Sequence, residues 1–141
     1  MVITYSLPLN DAYWFLRQVE GLPKVPTSEQ LTLRYLRATA VFSWVALEQM
    51  LNAAVDDYVA QGKLVRSSVP ERLRDKLEYV LAINGKTLDR SLFKKHRDLR
   101  NEITHGDRVF TLSDVQAAFS FCFDTIGAFY PGTLRVTHDF D

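Results

Sequence analysis

Hydrophobic residues along this chain recur three and four positions apart, and nowhere alternate with period two for long enough to make a sheet. Glycines and prolines cut that pattern into segments. Asn10 can cap a short first helix, about Asp11 to Glu20, which Gly21 stops. Leu22 to Pro26 reads as a proline-broken connector. Thr27-x-x-Gln30 has the form of a capping box, in which a hydroxyl and a side-chain carbonyl satisfy each other's backbone N–H groups. From Ser28 to about Gln61 there is neither Gly nor Pro, and Gly62 closes the segment. That is one long helix, on the order of 50 Å at 1.5 Å per residue. Its middle carries Val41, Phe42, Trp44, Val45, Leu47, Met50, Leu51, Ala54, Val55 and Tyr58, so it is apolar on nearly every side. Such a helix is central in its fold, or also meets a second subunit.

Three more helices follow. Ser68-x-x-Glu71, with Pro70 in the first turn, opens one that runs to about Ile83 and stops at Asn84-Gly85. Thr87 or Asp89 opens the next, which reaches about Thr104, with Gly106 as its C-terminal cap. Ser113-x-x-Gln116 opens the last, which ends near Tyr130 at Pro131-Gly132. Thr133 to Asp141 reads as a loose tail. The fold class is therefore all-α: an up-and-down bundle of four main helices with a short N-terminal helix in front. Residues 1–141 form one domain, with 1–26 as the first helix and connector.

Composition narrows the function. Lys+Arg and Asp+Glu both number 17, so no global charge argues for a nucleic-acid or membrane partner, and any such partner rests on a local patch. The most apolar stretch, Ala38 to Val55, is broken by Ser43, Glu48, Gln49 and Asn52, which argues against a membrane span. Cys122 is the single cysteine, so no internal disulfide forms and a reducing, cytoplasmic setting is expected. Cys122 lies among Phe119, Phe121 and Phe123 and reads as buried. Asp56-Asp57 has no third ligand at metal spacing, and neither a metal nor a cofactor is expected.

The informative segment is Asp98-Leu99-Arg100-Asn101-Glu102-Ile103-Thr104-His105-Gly106. Arg100, Asn101 and His105, followed by Gly106, lie at the end of the third main helix, after a long apolar helix and before a long final one. In this motif and placement the chain resembles the HEPN superfamily of helical ribonuclease-like domains. The resemblance implies a metal-independent endoribonuclease of the toxin or phage-defence type, acting as a homodimer on RNA and leaving 2′,3′-cyclic phosphate and 5′-OH ends. An antitoxin or operon partner protein is a further implied possibility. The alternative is a non-catalytic dimeric module of the same kind that binds RNA, a nucleotide or a protein; a purely structural bundle is the blandest reading.

The chemistry suits the residues. RNA carries its own nucleophile, the 2′-OH, beside the scissile phosphate. An imidazole can take or give that proton near neutral pH, which is the expected role of His105. A guanidinium can hold the phosphate with two hydrogen bonds, the role of Arg100, and Asn101 would orient either one. Glu48, in the most apolar part of the chain, must find a partner if buried. It is either an orienter of Arg100 or His105, or an exposed bystander. Arg97 and Thr104, in the same helix as the motif, join Glu48 as supporting residues. Lys94, Lys95 and Arg108 are the candidate RNA contacts, on a segment, Lys86 to Arg108, of net charge +3. A solvated helix face is the competing account of Lys94 and Lys95.

On a regular helix, positions 100 and 105 lie about 140° apart around the axis and do not share a face. The family's answer is a dimer that sets two motifs against each other, and a composite cleft is expected here too. Competing readings are structural: Arg100 pairing with Glu48, and His105 closing the helix dipole. Trp44 and Tyr58 read as core, His96 as surface, and His138 as tail. One branch of the family places a Tyr two residues after the His and is regulated there by nucleotide transfer. Here Asp107 stands at that position.

Overall fold

The protein, seen in a computed structural model, is described over residues 3–4, 6–106, 110–130 and 133–134. Five helices carry the fold: α1 (Leu7–Gly21), α2 (Glu29–Ala60), α3 (Leu73–Ile83), α4 (Arg90–His105) and α5 (Leu112–Phe129). Two-residue strands, β1 (Ile3–Thr4) and β2 (Thr133–Leu134), pair in parallel, with Ile3 opposite Thr133 and Thr4 opposite Leu134. The all-α class and the helical bundle hold. The start of the expected loose tail is instead paired; the rest of it lies outside the described residues.

Helix α2 is the axis. At 32 residues it is about 48 Å long, against 11 residues for α3 and 16 for α4. Trp44, Leu47, Leu51, Ala54, Val55 and Tyr58 are buried along it. Two hydroxyls also lie in this interior. Thr39 Oγ1 donates to Tyr35 O at 2.9 Å, and Ser43 Oγ to Thr39 O at 2.6 Å, so neither is left without a partner. Helix α1 lies along α2, where Phe15 stacks on Phe42 at 5.8 Å with the rings 4° from parallel. The first helix is therefore a full member of the bundle.

Helix starts differ from expectation in detail. Ser6, not Asn10, caps α1: its hydroxyl accepts from Leu9 N at 3.3 Å, and Pro8 has no N–H to satisfy. Asn10 is buried inside the helix. The Thr27–Gln30 box does not form, because Pro26–Ser28 makes a 3-10 turn and Ser28 enters α2 already in the helical region. The Ser68–Glu71 box also fails, since Arg66–Ser68 is a separate 3-10 turn and α3 starts only at Leu73, after the uncapped Arg72. Asp89 caps α4 by accepting from Leu92 N at 3.1 Å. Thr111 and Asp114 form the true box of α5, two residues before the expected one, with Asp114 N donating to Thr111 Oγ1 at 3.2 Å and Thr111 N to Asp114 Oδ2 at 3.0 Å. Gly106 ends α4 as expected, at φ +83°, with its N–H on Glu102 O at 2.9 Å.

The interior has two parts. The larger gathers α1, the C-terminal half of α2, α3, the start of α4 and most of α5 around Leu47, Leu51, Leu77 and Phe129. The smaller joins Leu36 and Ala40 of α2 to Leu99 and Ile103 of α4 and Val115 of α5. At the far end of the larger core, Tyr58 Oη donates to Phe129 O at 2.5 Å and accepts from Asn84 Nδ2 at 3.0 Å, tying α2, α3 and α5 together. Among the described residues no helix is long and apolar enough to cross a membrane.

Candidate functional site

Helix α4 is strongly two-faced. Phe93, His96, Leu99 and Ile103 face the interior. Arg97, Arg100 and Asn101, spaced i, i+3, i+4, share another face. That face lines a cleft of about 350 Å³ together with Trp44 and Glu48 of α2 and residues 72–75 at the start of α3. The cleft is at the small end of the range for ligand sites, roughly 300–1,000 Å³.

Within it, Arg100 is half-buried and donates from Nη1 to Asn101 Oδ1 at 2.8 Å. Asn101 thereby holds the guanidinium without neutralising it. No ion pair among the described residues includes Arg100, Glu48 or Arg72, so the proposed Arg100–Glu48 pair is not formed. Glu48 is half-buried beside the arginines. Arg97 lies 5.8 Å over the Phe93 ring and 3.5 Å from Asp98. Arg74 reaches Asp75 at 3.4 Å and Glu78 at 3.8 Å. Four guanidiniums thus line the cleft against two carboxylates, Glu48 and Asp75, a positive balance in a recess where water screens charge less than on an open face.

His105 is apart from this group. It is the last residue of α4, exposed, and does not line the cleft. Thr104 is exposed as well, and its hydroxyl donates to Arg100 O at 2.8 Å, serving the helix backbone. One copy of the chain therefore brings Arg100, Asn101, Arg97 and Glu48 together and leaves His105 outside, as the helical geometry predicts. Glu48 is half-buried and lines the same cleft as Arg100, with no hydrogen bond or ion pair between the two.

The lysines divide. Lys94 is exposed and bonded to Asp98 Oδ2 at 2.8 Å. That bond, with the charges of Lys94 and Arg97, holds the Asp98 carboxyl below its ordinary value. Lys95 lines a different cleft, between α4, α5 and the end of α3. Arg108, Asp107 and His138 lie outside the described residues.

His96 is not the surface residue expected. It is only 3 % exposed, its ring centre is 5.0 Å from that of Phe121, and its Nδ1 is buried without a hydrogen-bond partner. Burial pushes its pKa down, and the charge of Lys95 pushes it the same way. Cys122 is buried, and burial pushes its thiol far up. Among the described residues no three His, Cys, Asp or Glu side chains gather at metal-binding distance, and Asp56 pairs with Arg66 at 2.8 Å.

Sequence reasoning missed Arg72 and Arg74. Nothing local marks them; they join the site only because the start of α3 lines the same recess as α4 and Glu48 of α2. No known protein family, curated protein or solved structure matches this chain.

Proposed function

We propose that the chain is an HEPN-like, metal-independent endoribonuclease of the toxin or phage-defence type. The observation that carries the reading is Arg100: a half-buried guanidinium in a cleft, steadied by Asn101 and in no ion pair among the described residues. A cation kept unneutralised in a recess is suited to an anionic ligand such as a phosphodiester. In this reading Arg100 grips the scissile phosphate and stabilises charge as the 2′-OH attacks. His105 removes the 2′-OH proton or protonates the leaving 5′-oxygen. The 2′-oxygen–phosphorus bond forms, the 5′-oxygen–phosphorus bond breaks, and the products are a 2′,3′-cyclic phosphate and a 5′-OH. Because His105 lies outside the Arg100 cleft of its own copy, the second copy in a homodimer supplies it. An antitoxin or operon partner would hold the activity in check.

Induced expression in a bacterial host tests this. Wild type should arrest growth and generate new 5′-OH RNA ends, while His105→Ala and Arg100→Ala at matched soluble levels should do neither. Activity that vanishes with chelator and leaves 3′-OH ends would refute the mechanism. A monodisperse monomer at micromolar concentration would remove the composite site.

A second reading draws on the position of His105. An exposed imidazole outside the cleft favours a binding module that holds RNA through Arg100 without cutting it. Undiminished RNA affinity in His105→Ala, with no cleavage by wild type, would select that reading.

A further inference from the structure

Arg72 and Arg74 belong to no sequence motif, yet they face the same recess as Arg100. Arg72 has no ion-pair partner among the described residues, and Arg74 donates from Nε and Nη2 to Asp75 Oδ1, at 3.4 Å each, and lies 3.8 Å from Glu78. Surface guanidiniums usually settle on a carboxylate when one is near. Here Glu48 lines the recess and is taken by none of them. The cleft thus carries more positive charge than the α4 motif alone accounts for, with Arg72 the guanidinium on the α3 side that no ion pair among the described residues takes up.

We propose that the path of bound RNA leaves α4 at Arg100 and crosses onto the start of α3, where Arg72 and Arg74 hold the phosphate next to the one Arg100 engages. This rests on the RNA reading given above and assigns the direction and chemistry of the track. The alternative direction, along α4 through Lys94 and Lys95, is poorly provided: Lys94 is already bonded to Asp98, and Lys95 lines the other cleft. The bound strand is single, because a flexible strand can bend successive phosphates into a recess that a stiff duplex cannot enter. The track reads backbone and not sequence. Its aromatic lining, Trp44 and Phe93, is 3 % and 1 % exposed, so no ring face is open for a base to stack upon. Glu48 opposes the phosphates and keeps affinity moderate, which suits an enzyme that must release cut ends.

The test is fluorescence anisotropy with a labelled 2′-O-methyl oligouridylate of about ten nucleotides, which cannot be cleaved and falls within usual single-strand site sizes. Wild type, Arg100→Ala, Arg72→Ala/Arg74→Ala, Glu48→Gln and Lys95→Ala are compared over a range of salt. The double variant should bind about tenfold more weakly, and its log–log salt slope should shrink by about 0.7 for each phosphate released. Glu48→Gln should bind about two- to fivefold more tightly by removing an opposing charge, a gain that misfolding cannot mimic. Lys95→Ala should match wild type. If wild type binds and Arg100→Ala weakens it, but the double variant and Glu48→Gln both match wild type, the α3 track is overturned and the RNA reading stands. A loss confined to Lys95→Ala would likewise overturn it. No binding by folded wild type would overturn both.

Discussion

Raising the pH from about 5 to 7 should stabilise this protein through His96, and the size of that effect can be worked from its surroundings. The imidazole is 3 % exposed, packed on Phe121, with Nδ1 lacking any partner. A proton added there creates a buried charge. Lys95 adjoins it in sequence, while Asp89 and Asp124 line the same cleft. The two carboxylates would favour protonation, but burial and Lys95 outweigh them and the pKa is lowered. In the unfolded chain the imidazole titrates near its ordinary value, about 6.5. Below that pH the unfolded chain takes up a proton that the folded chain refuses. The His96 contribution is therefore full above about pH 6.5 and is lost as pH falls through the folded-state value. One proton of difference limits the slope to about 1.4 kcal/mol per pH unit. At about 2.1 cal/mol/K per residue, 141 residues give an unfolding entropy near 0.3 kcal/mol/K. The expected ceiling is thus a Tm change of about 4–5 °C per pH unit. Thermal melts of wild type and His96→Gln across that pH range measure it. Other groups titrate equally in both proteins, so the difference in slope isolates His96. Parallel Tm-against-pH curves for the two would refute the reasoning.

Tyr58→Phe should cost about 1–3 kcal/mol, or roughly 3–10 °C in Tm, because the Phe129 carbonyl loses its donor in a buried place; a melt within 1 °C of wild type, inside roughly 0.3 kcal/mol, would contradict this. Gly106→Ala should cost about 1 kcal/mol from the left-handed backbone at φ +83°, with Gly106→Asn costing less, as denaturant unfolding would register. Among the described residues, and apart from its chain neighbours and the backbone of its own helix, nothing lies within 4 Å of an added Cβ there, so backbone conformation dominates that cost. Cys122 should resist a thiol reagent in the native protein and react fully only once unfolded, since burial suppresses the thiolate.

The length and centrality of α2 were legible in its unbroken apolar run, Gly106 was legible as a cap, and Asp89 was one of two candidates for the start of α4. The misread starts share a cause. Ser/Thr-x-x-Glu/Gln is common in amphipathic sequence, and only the backbone decides which oxygen folds back. Thr111 with Asp114 succeeds where Ser113 with Gln116 does not, because Thr111 is extended and stands before the first turn. His96 was misjudged from its charged neighbours, Lys94, Lys95, Arg97 and Asp98. Its spacing from Phe93 and Leu99, three residues each way, already placed it on the buried stripe. Within the candidate site, Arg100, Asn101, Arg97 and Glu48 were named from sequence and line one cleft. Arg72 and Arg74 were not, since a recess lined by elements separated by a loop leaves no local trace.

The two-part interior gives the chain unequal resistance to opening. Among the described residues the larger core holds twenty buried side chains and the smaller eight. The C-terminal half of α4, with Leu99 and Ile103, is seated on the smaller. Segments on thinly packed units open at free energies well below that of global unfolding. Amide hydrogen exchange should therefore be faster in the last turns of α4 and the first turn of α5 than in α2 beyond Trp44. The helix end bearing Arg100 and His105 can then loosen and re-form while the rest of the bundle stays intact.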